Sequence, residues 1–125
     1  MDLSPTNPAA ADPATLATQA TRDIADVSAV EVITTAAVHL MSATAVKCGL
    51  AEDAAEGGHM DLAEARVLIN ALAGLVTSAA PDIGPQHARP LRDGLRTLQL
   101  AFREASVVQD PPMQGPGEIL TGPVS

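Results

Sequence analysis

The stretch between Ser28 and Gly49 constrains the fold more than any other part of the chain. Its few ionisable side chains are those of Glu31, His39, Lys47 and Cys48. Ser28 followed three residues later by Glu31 forms a capping box that begins a helix, and Gly49 supplies the left-handed conformation that ends one. Because such a helix is apolar nearly all round, it needs neighbours on more than one side. We therefore predict a buried helix over residues 29–48.

The length of this helix would also let it cross a bilayer. However, it contains few strongly apolar side chains, and a central charge would cancel their favourable contribution to membrane insertion. His39 lies near its middle, and four hydroxyl-bearing residues accompany it, namely Thr34, Thr35, Ser42 and Thr44. We expect a helix of a soluble protein with no membrane partner.

The overall charge limits the function classes that fit the chain. The formal net charge is −8 and the pI is about 4.5. General binding to nucleic acids or anionic membranes needs concentrated lysine and arginine, which this composition lacks. A single cysteine, Cys48, cannot form an internal disulfide and suits a reducing compartment. No secretory signal is visible at the start, so we expect a cytoplasmic protein.

Two further helices follow from capping and spacing. Asp61, with Glu64 three residues later, begins a helix that we predict over 61–80, with Pro81 as its stop. A third helix is predicted over 86–105, where Pro90 either starts the regular part or kinks an earlier start. Its apolar seam repeats at intervals of four and three and consists of Leu91, Leu95, Leu98, Phe102 and Ala105. The periodicity thus indicates two amphipathic helices after the first.

These elements predict an all-α fold, either a small three-helix bundle or a helical hairpin plus a third helix. The helical domain should span 25–106. Proline-rich and glycine-rich composition predicts disordered tails over 1–24 and 107–125. A domain this small is marginally stable alone, and the first helix is apolar on too many sides for one chain to cover. We therefore expect a homodimer or larger assembly.

A stripe of arginines is the main candidate for a partner-binding site. Its members share one side of the third helix and are Arg89, Arg92, Arg96 and Arg103. Arginine suits bidentate recognition of oxygen anions, so the stripe predicts a surface for an acidic protein, a phosphorylated ligand or RNA. The competing interpretation is a solvated face paired with Asp93, Glu104 and the acidic stretch 50–64. No aromatic residue accompanies the stripe to stack bases, which favours that interpretation.

Other reactive side chains do not form a recognisable site. Potential metal ligands are isolated and lack a paired spacing; they are Cys48, His59, Asp61 and His87. A dyad of Cys48 with His39 fails because nine residues place them on opposite faces of a helix. The carboxylates of Glu52, Asp53 and Glu56 lie in a solvated connection. We expect no catalytic residues, no metal and no cofactor, and hence no enzyme.

Three segments together resemble a known family. They are residues 30–53, residues 61–76, which contain Asp61, Leu62, Ala65 and Arg66, and residues 90–106, which contain Leu95, Arg96 and Phe102. Over about residues 27–122 the chain resembles domain of unknown function family 1844, and its ending resembles members from high-GC Gram-positive bacteria. In the family pattern the last of these motifs is more closely spaced than it is here. The resemblance implies no catalytic residues, and it implies a translation-linked partner.

Our leading hypothesis is a cytoplasmic, non-enzymatic adaptor that self-associates through the first helix and presents the arginine stripe and the C-terminal tail to a protein partner. One alternative is a module that binds RNA or a ribosomal surface through the same arginines. Another is a binder of small apolar ligands, lined by Leu40, Leu72 and Leu98. The sequence does not identify the partner.

Overall fold

Helices and short connections make up the computed structural model, which describes residues 12–16, 25–50 and 60–124. The helices are α1 (Ala29–Lys47), α2 (Leu62–Ile83), α3 (Pro85–Ala105) and the short α4 (Glu118–Thr121). Within these described ranges there is no strand, so the predicted all-α fold is confirmed. Internal contacts divide the chain into two units, 1–32 and 33–125, and the boundary falls inside α1.

In the first unit, residues 13–16 form a single helical turn. Asp12 caps it, since its Oδ1 accepts a hydrogen bond from the Ala14 amide at 3.0 Å and its carbonyl accepts one from the Leu16 amide at 3.1 Å. Asp12 thus supplies an acceptor to amides that the first turn of a helix leaves unpaired. The rest of the predicted disordered segment 1–24 lies outside the described residues.

Both ends of α1 follow the local signals in the sequence. The Ser28 hydroxyl accepts a hydrogen bond from the Glu31 amide at 3.2 Å. At the other end Gly49 has a φ of 83°, and the Leu50 amide donates to the carbonyl oxygen of Ala45 at 2.9 Å. This is the six-to-one bond of a Schellman cap, which turns the chain sharply out of the helix. The helix begins at the predicted residue 29 and ends at Lys47, one residue before the predicted end at 48.

The burial of α1 differs from the prediction. Only Ala37 and Thr44 of this helix are buried, and Val38 is 50% exposed. The buried side faces α3, where the space left by Gly94 admits the side chain of Met41; a Cβ added at Gly94 would lie 2.9 Å from the sulfur of Met41. The prediction of a helix buried on several sides is wrong for the described part of the single chain, because α2 and α3 pack mainly on each other and, among the residues that the structure describes, leave the opposite side of α1 uncovered.

A single residue, Gly84, joins α2 to α3 and lets them fold back on each other as a hairpin. Its φ of 85° is in the left-handed region, and its amide donates to the carbonyl oxygen of Ala80 at 3.1 Å. The helix α2 continues past Pro81 to Ile83, so the predicted stop at 80 is wrong. Pro81 removes one amide donor, but the final turn persists because it buries Ile83, which is 6% exposed.

The core of the hairpin is aliphatic apart from Phe102, as the spacing predicted. On α2, Ile69, Leu72 and Val76 are almost completely buried. They face the seam of α3, whose buried members are Leu91, Leu95, Leu98 and Phe102. Pro85 is the first residue of α3, so Pro90 lies inside a helix that starts early.

The segment after α3 is folded onto the hairpin instead of being disordered. Residues 106–124 form turns and α4, and they receive hydrogen bonds from side chains of α2 and α3. The prediction of a disordered tail from 107 therefore fails for residues 107–124. Proline and glycine prevent a long helix here, but backbone groups that they leave free are paired with polar side chains of the hairpin, namely Arg66, Asn70 and the buried Gln99.

Candidate partner-binding surface

The four arginines of the predicted stripe do not form one continuous site. Arg89, Arg92 and Arg96 are exposed on α3. Arg103 is half-buried, and its Nη1 donates to the carbonyl oxygen of Val124 at 3.3 Å. The structure therefore separates three solvent-facing cations from one that fastens the C-terminal segment to α3.

The exposed arginines have no acidic partner among residues 12–16, 25–50 and 60–124. Asp93 and Glu104, the partners expected for a solvated face, form no ion pair with them in these ranges. Most of the acidic stretch 50–64 lies outside the described residues. Asp61 caps α2 instead, since its Oδ1 accepts from the Glu64 amide at 3.2 Å.

Arg92 and Arg96 stand at a cleft, whereas Arg89 lies elsewhere. The cleft has a volume of about 330 Å³ and runs between α2, α3 and the C-terminal segment. Its buried aliphatic residues include Val76, Leu95 and Val124, and Thr77 and Leu120 line it as exposed residues. We call this the 92/96 cleft. Arg89 instead lines a shallower depression at the start of α3 with Pro85, Gln86 and Pro90.

Arg66 of α2 holds the C-terminal segment, a role that the sequence did not reveal. Its Nη2 lies 3.0 and 2.9 Å from the two carboxylate oxygens of Asp110, and its Nη1 donates to the carbonyl oxygen of Gln114 at 3.3 Å. The guanidinium also lies over the ring of Phe102, 5.0 Å from its centroid, which is a cation–π distance. Arg66 thus joins α2, α3 and the C-terminal segment at one point.

Two amide side chains of the hairpin pair with the backbone around Gly117. The Asn70 Oδ1 accepts from the Gly117 amide at 2.8 Å. Gln99 is 2% exposed, and its Nε2 donates to the carbonyl oxygen of Pro116 at 2.9 Å and to the hydroxyl of Thr121 at 3.1 Å. In the sequence, Gln99 stands beside Leu98 of the apolar seam. A polar residue at that place indicates a hydrogen-bonding partner packed against α3, because buried polar side chains are nearly always hydrogen-bonded.

The buried carboxylate of Glu118 connects two parts of the C-terminal segment 106–124. Glu118 is 4% exposed. Its Oε1 accepts from the Gly115 amide at 2.9 Å, and its Oε2 accepts from the Val124 amide at 2.8 Å. Both oxygens are therefore committed to backbone donors, which makes Glu118 a structural residue.

The remaining reactive side chains do not come together. Cys48 is buried at the end of α1, and desolvation raises the pKa of its thiol. Among the described residues no group of three or more His, Cys, Asp and Glu side chains could hold a metal ion, and His59 lies outside them. Leu72 and Leu98 belong to the packed core, while Leu40 is half-buried on α1.

Two helices are long and apolar enough to cross a membrane by length and composition alone. They are α1 and α2, in which 11% and 33%, respectively, of the residues in the apolar 18-residue window are buried. This is weak evidence, because the core helix of a soluble protein satisfies the same criteria. The most buried apolar residues of α2, which are Ile69, Leu72 and Val76, face α3, whereas Val67 is 61% exposed.

Comparison with known protein families identifies the family of this chain. The family described as "Domain of unknown function (DUF1844)" matches residues 29–104, which is more than half of the sequence. The chain belongs to the DUF1844 family. The match to DUF1844 runs from the first residue of α1 to the last turn of α3, and it includes Arg66 and the arginine stripe. The docked segment 106–124 follows it.

No curated protein matches the chain, and no solved structure matches it either. The DUF1844 family assigns no activity to any of these residues.

Proposed function

We propose that this DUF1844 protein is a cytoplasmic, non-enzymatic adaptor that self-associates through α1. The observation that carries the proposal is the uncovered side of α1. Val38 is 50% exposed, although it belongs to the most apolar helix that the structure describes. A second copy of the same surface would remove the Val38 side chain from water, which stabilises an interface by about 25 cal/mol per Å² of buried apolar area.

Charge favours a second copy at this surface. Each chain carries a formal net charge of −8, which repels another copy over most of the molecule. Between Glu31 and Lys47, however, α1 contains no Asp, Glu, Lys or Arg. This uncharged surface lets two copies meet with the least electrostatic repulsion, and a two-fold interface needs one self-complementary patch.

Sedimentation equilibrium tests the proposal. The unmodified chain should sediment at twice 12.7 kDa in the micromolar range. Val38→Glu places a carboxylate in the proposed interface and should shift the chain to the monomer mass. Val67→Glu is the matched control, since Val67 is 61% exposed on α2 and undergoes the same chemical change.

Two results would contradict self-association through α1. The first is a monomeric unmodified chain at concentrations approaching millimolar. The second is equal dissociation by Val38→Glu and Val67→Glu, which would show that added charge, and not the α1 surface, controls assembly.

RNA or ribosome binding is the second candidate function. The exposed and unpaired state of Arg89, Arg92 and Arg96 within the described residues supports it. The test is an electrophoretic mobility shift with structured RNA at increasing salt. Affinity should fall steeply with salt concentration if phosphates are contacted, and charge reversal at each arginine should weaken binding by a similar factor.

A further inference from the structure

The 92/96 cleft combines a cationic rim with an aliphatic floor. Val76, Leu95 and Val124 are each no more than 6% exposed, so their side chains form its floor. Arg92 and Arg96 stand one helical turn apart at its edge, a spacing that places Cβ atoms about 5–6 Å from each other. The cleft volume of about 330 Å³ lies within the range typical of ligand sites.

The polar groups at the rim favour a carboxylate. Two guanidinium groups can each donate a pair of parallel hydrogen bonds to a carboxylate. Neither Arg92 nor Arg96 forms an ion pair within residues 25–50 and 60–124. Asp93 also borders the cleft and offsets part of their charge, which leaves a net positive rim able to accept one carboxylate but poorly suited to a polyanion.

The lack of an exposed aromatic side chain and the apolar floor of the 92/96 cleft both favour a peptide ligand over RNA. Phe102 is the one aromatic residue of the sequence, and it is 4% exposed, so it offers no face to stack a base. Recognition of single-stranded RNA depends on such stacking. Half-exposed Leu120 instead extends the apolar floor toward solvent, where an aliphatic side chain of a partner would contact it.

We propose that the 92/96 cleft binds a peptide segment of a partner protein that presents a carboxylate next to a leucine-like side chain. The carboxylate lies between Arg92 and Arg96, and the aliphatic side chain lies on Leu120 and Val124. The inference rests on the proposed adaptor function, for which it names the class of partner. It does not require self-association through α1.

Fluorescence anisotropy with a labelled peptide tests the cleft. The probe is a short peptide with alternating glutamate and leucine residues and an amidated C-terminus. One matched probe replaces the glutamates by glutamine, and another replaces the leucines by serine. A fourth combines glutamines with a free C-terminal leucine, which distinguishes side-chain carboxylates from a terminal one.

Substitutions of the full chain locate the binding. Arg92→Glu and Leu120→Ser should each weaken binding of the carboxylate–leucine probe at least tenfold. Arg89→Glu is the matched control, because Arg89 is also exposed on α3 but borders a different depression. It should change the affinity less than twofold. The glutamine probe with an amidated end and the serine probe should both bind at least tenfold more weakly.

Several results would overturn the proposal. One is the absence of saturable binding for every peptide. Another is an equal loss of peptide affinity in Arg89→Glu and Arg92→Glu. A third is preferential binding of a single-stranded poly-uridine probe, which would indicate that the arginines bind RNA. Sedimentation of the same samples separates this test from the adaptor proposal, since Arg92→Glu should leave the oligomeric state unchanged whereas Val38→Glu should change it.

Discussion

Arg66 and Asp110 lie 44 residues apart in the sequence and meet in a two-oxygen ion pair, with both carboxylate oxygens within 3.0 Å of the same guanidinium nitrogen. The side chains are 39% and 28% exposed, so solvent weakens their attraction. The ion pair nevertheless contributes to the fold, because it holds the start of the C-terminal segment against α2.

Arg66→Ala should loosen the C-terminal segment while leaving the hairpin folded. We expect the free energy of unfolding to fall by about 1–2 kcal/mol, since the substitution removes a partly exposed ion pair and a cation–π contact. Limited proteolysis should cleave the variant after α3 at lower protease concentration than the unmodified chain. Arg89→Ala, which removes an exposed arginine without these contacts, should behave like the unmodified chain. Equal protease resistance of all three proteins would contradict the role of Arg66.

Gln99→Leu should detach the backbone around Pro116. The substitution keeps the size of a side chain that is 2% exposed, but it leaves the Pro116 carbonyl without its donor. An unpaired buried acceptor costs about 1–3 kcal/mol. Hydrogen exchange followed by mass spectrometry should show faster exchange in residues 117–122 and little change in α2. Unaltered exchange in that segment would show that Asn70 and Arg66 hold it without Gln99.

Alanine should have opposite effects at Gly117 and Gly74. Gly117 has a φ of 76°, and an added Cβ would lie 3.0 Å from the Cβ of Ala73 and from the Nε2 of Gln99. Gly117→Ala should therefore destabilise the chain by about 1–2 kcal/mol. Gly74 lies inside α2, and apart from its chain neighbours and the adjacent helix backbone no atom lies within 4 Å of an added Cβ. Gly74→Ala should stabilise the chain by up to about 1 kcal/mol.

Urea unfolding monitored by circular dichroism measures both effects. Because each variant adds the same methyl group, the pair controls for composition. A loss of stability in Gly74→Ala would indicate that another chain approaches α2 there, which would bear on assembly.

Cys48 should make stability fall at alkaline pH. Burial raises the pKa of its thiol, so the folded chain retains the proton longer than the unfolded chain does. The resulting stabilisation is complete below the ordinary thiol pKa, about 8.5, and is lost as pH rises through the higher folded value. Cys48→Ala should remove this slope in urea midpoints measured between about pH 8 and 10. An identical slope in the variant would assign it to other groups.

The sequence predicted the three long helices because their signals are local. The Ser28 capping box, the Asp61 cap and the spacing of Leu91, Leu95 and Leu98 each act within one or two turns. The end of α2 was misjudged, because whether a helix continues past Pro81 depends on what Ile83 contacts, and that contact is a tertiary one.

The candidate site was only partly predictable. The spacing of the four arginines predicted a stripe on α3. It did not predict that Arg92 and Arg96 border a cleft, that Arg89 borders a separate depression, or that Arg103 binds the C-terminal segment, because the positions of residues 106–124 were not predicted. That segment has no hydrophobic periodicity, since its attachment uses backbone groups and the side chains of Arg66, Asn70 and Gln99. Gln99 within the apolar seam was the one residue that could have indicated it.

The one-residue connection at Gly84 also bears on how the chain folds. Residues that face each other near the turn of the hairpin are close in sequence, so the first contacts between α2 and α3 close only a short loop and cost little chain entropy. The contacts of Asn70 and Arg66 with the C-terminal segment close loops of more than forty residues. We expect the α2–α3 hairpin to form first and segment 106–124 to join it in a later kinetic step, after the surface that receives it exists.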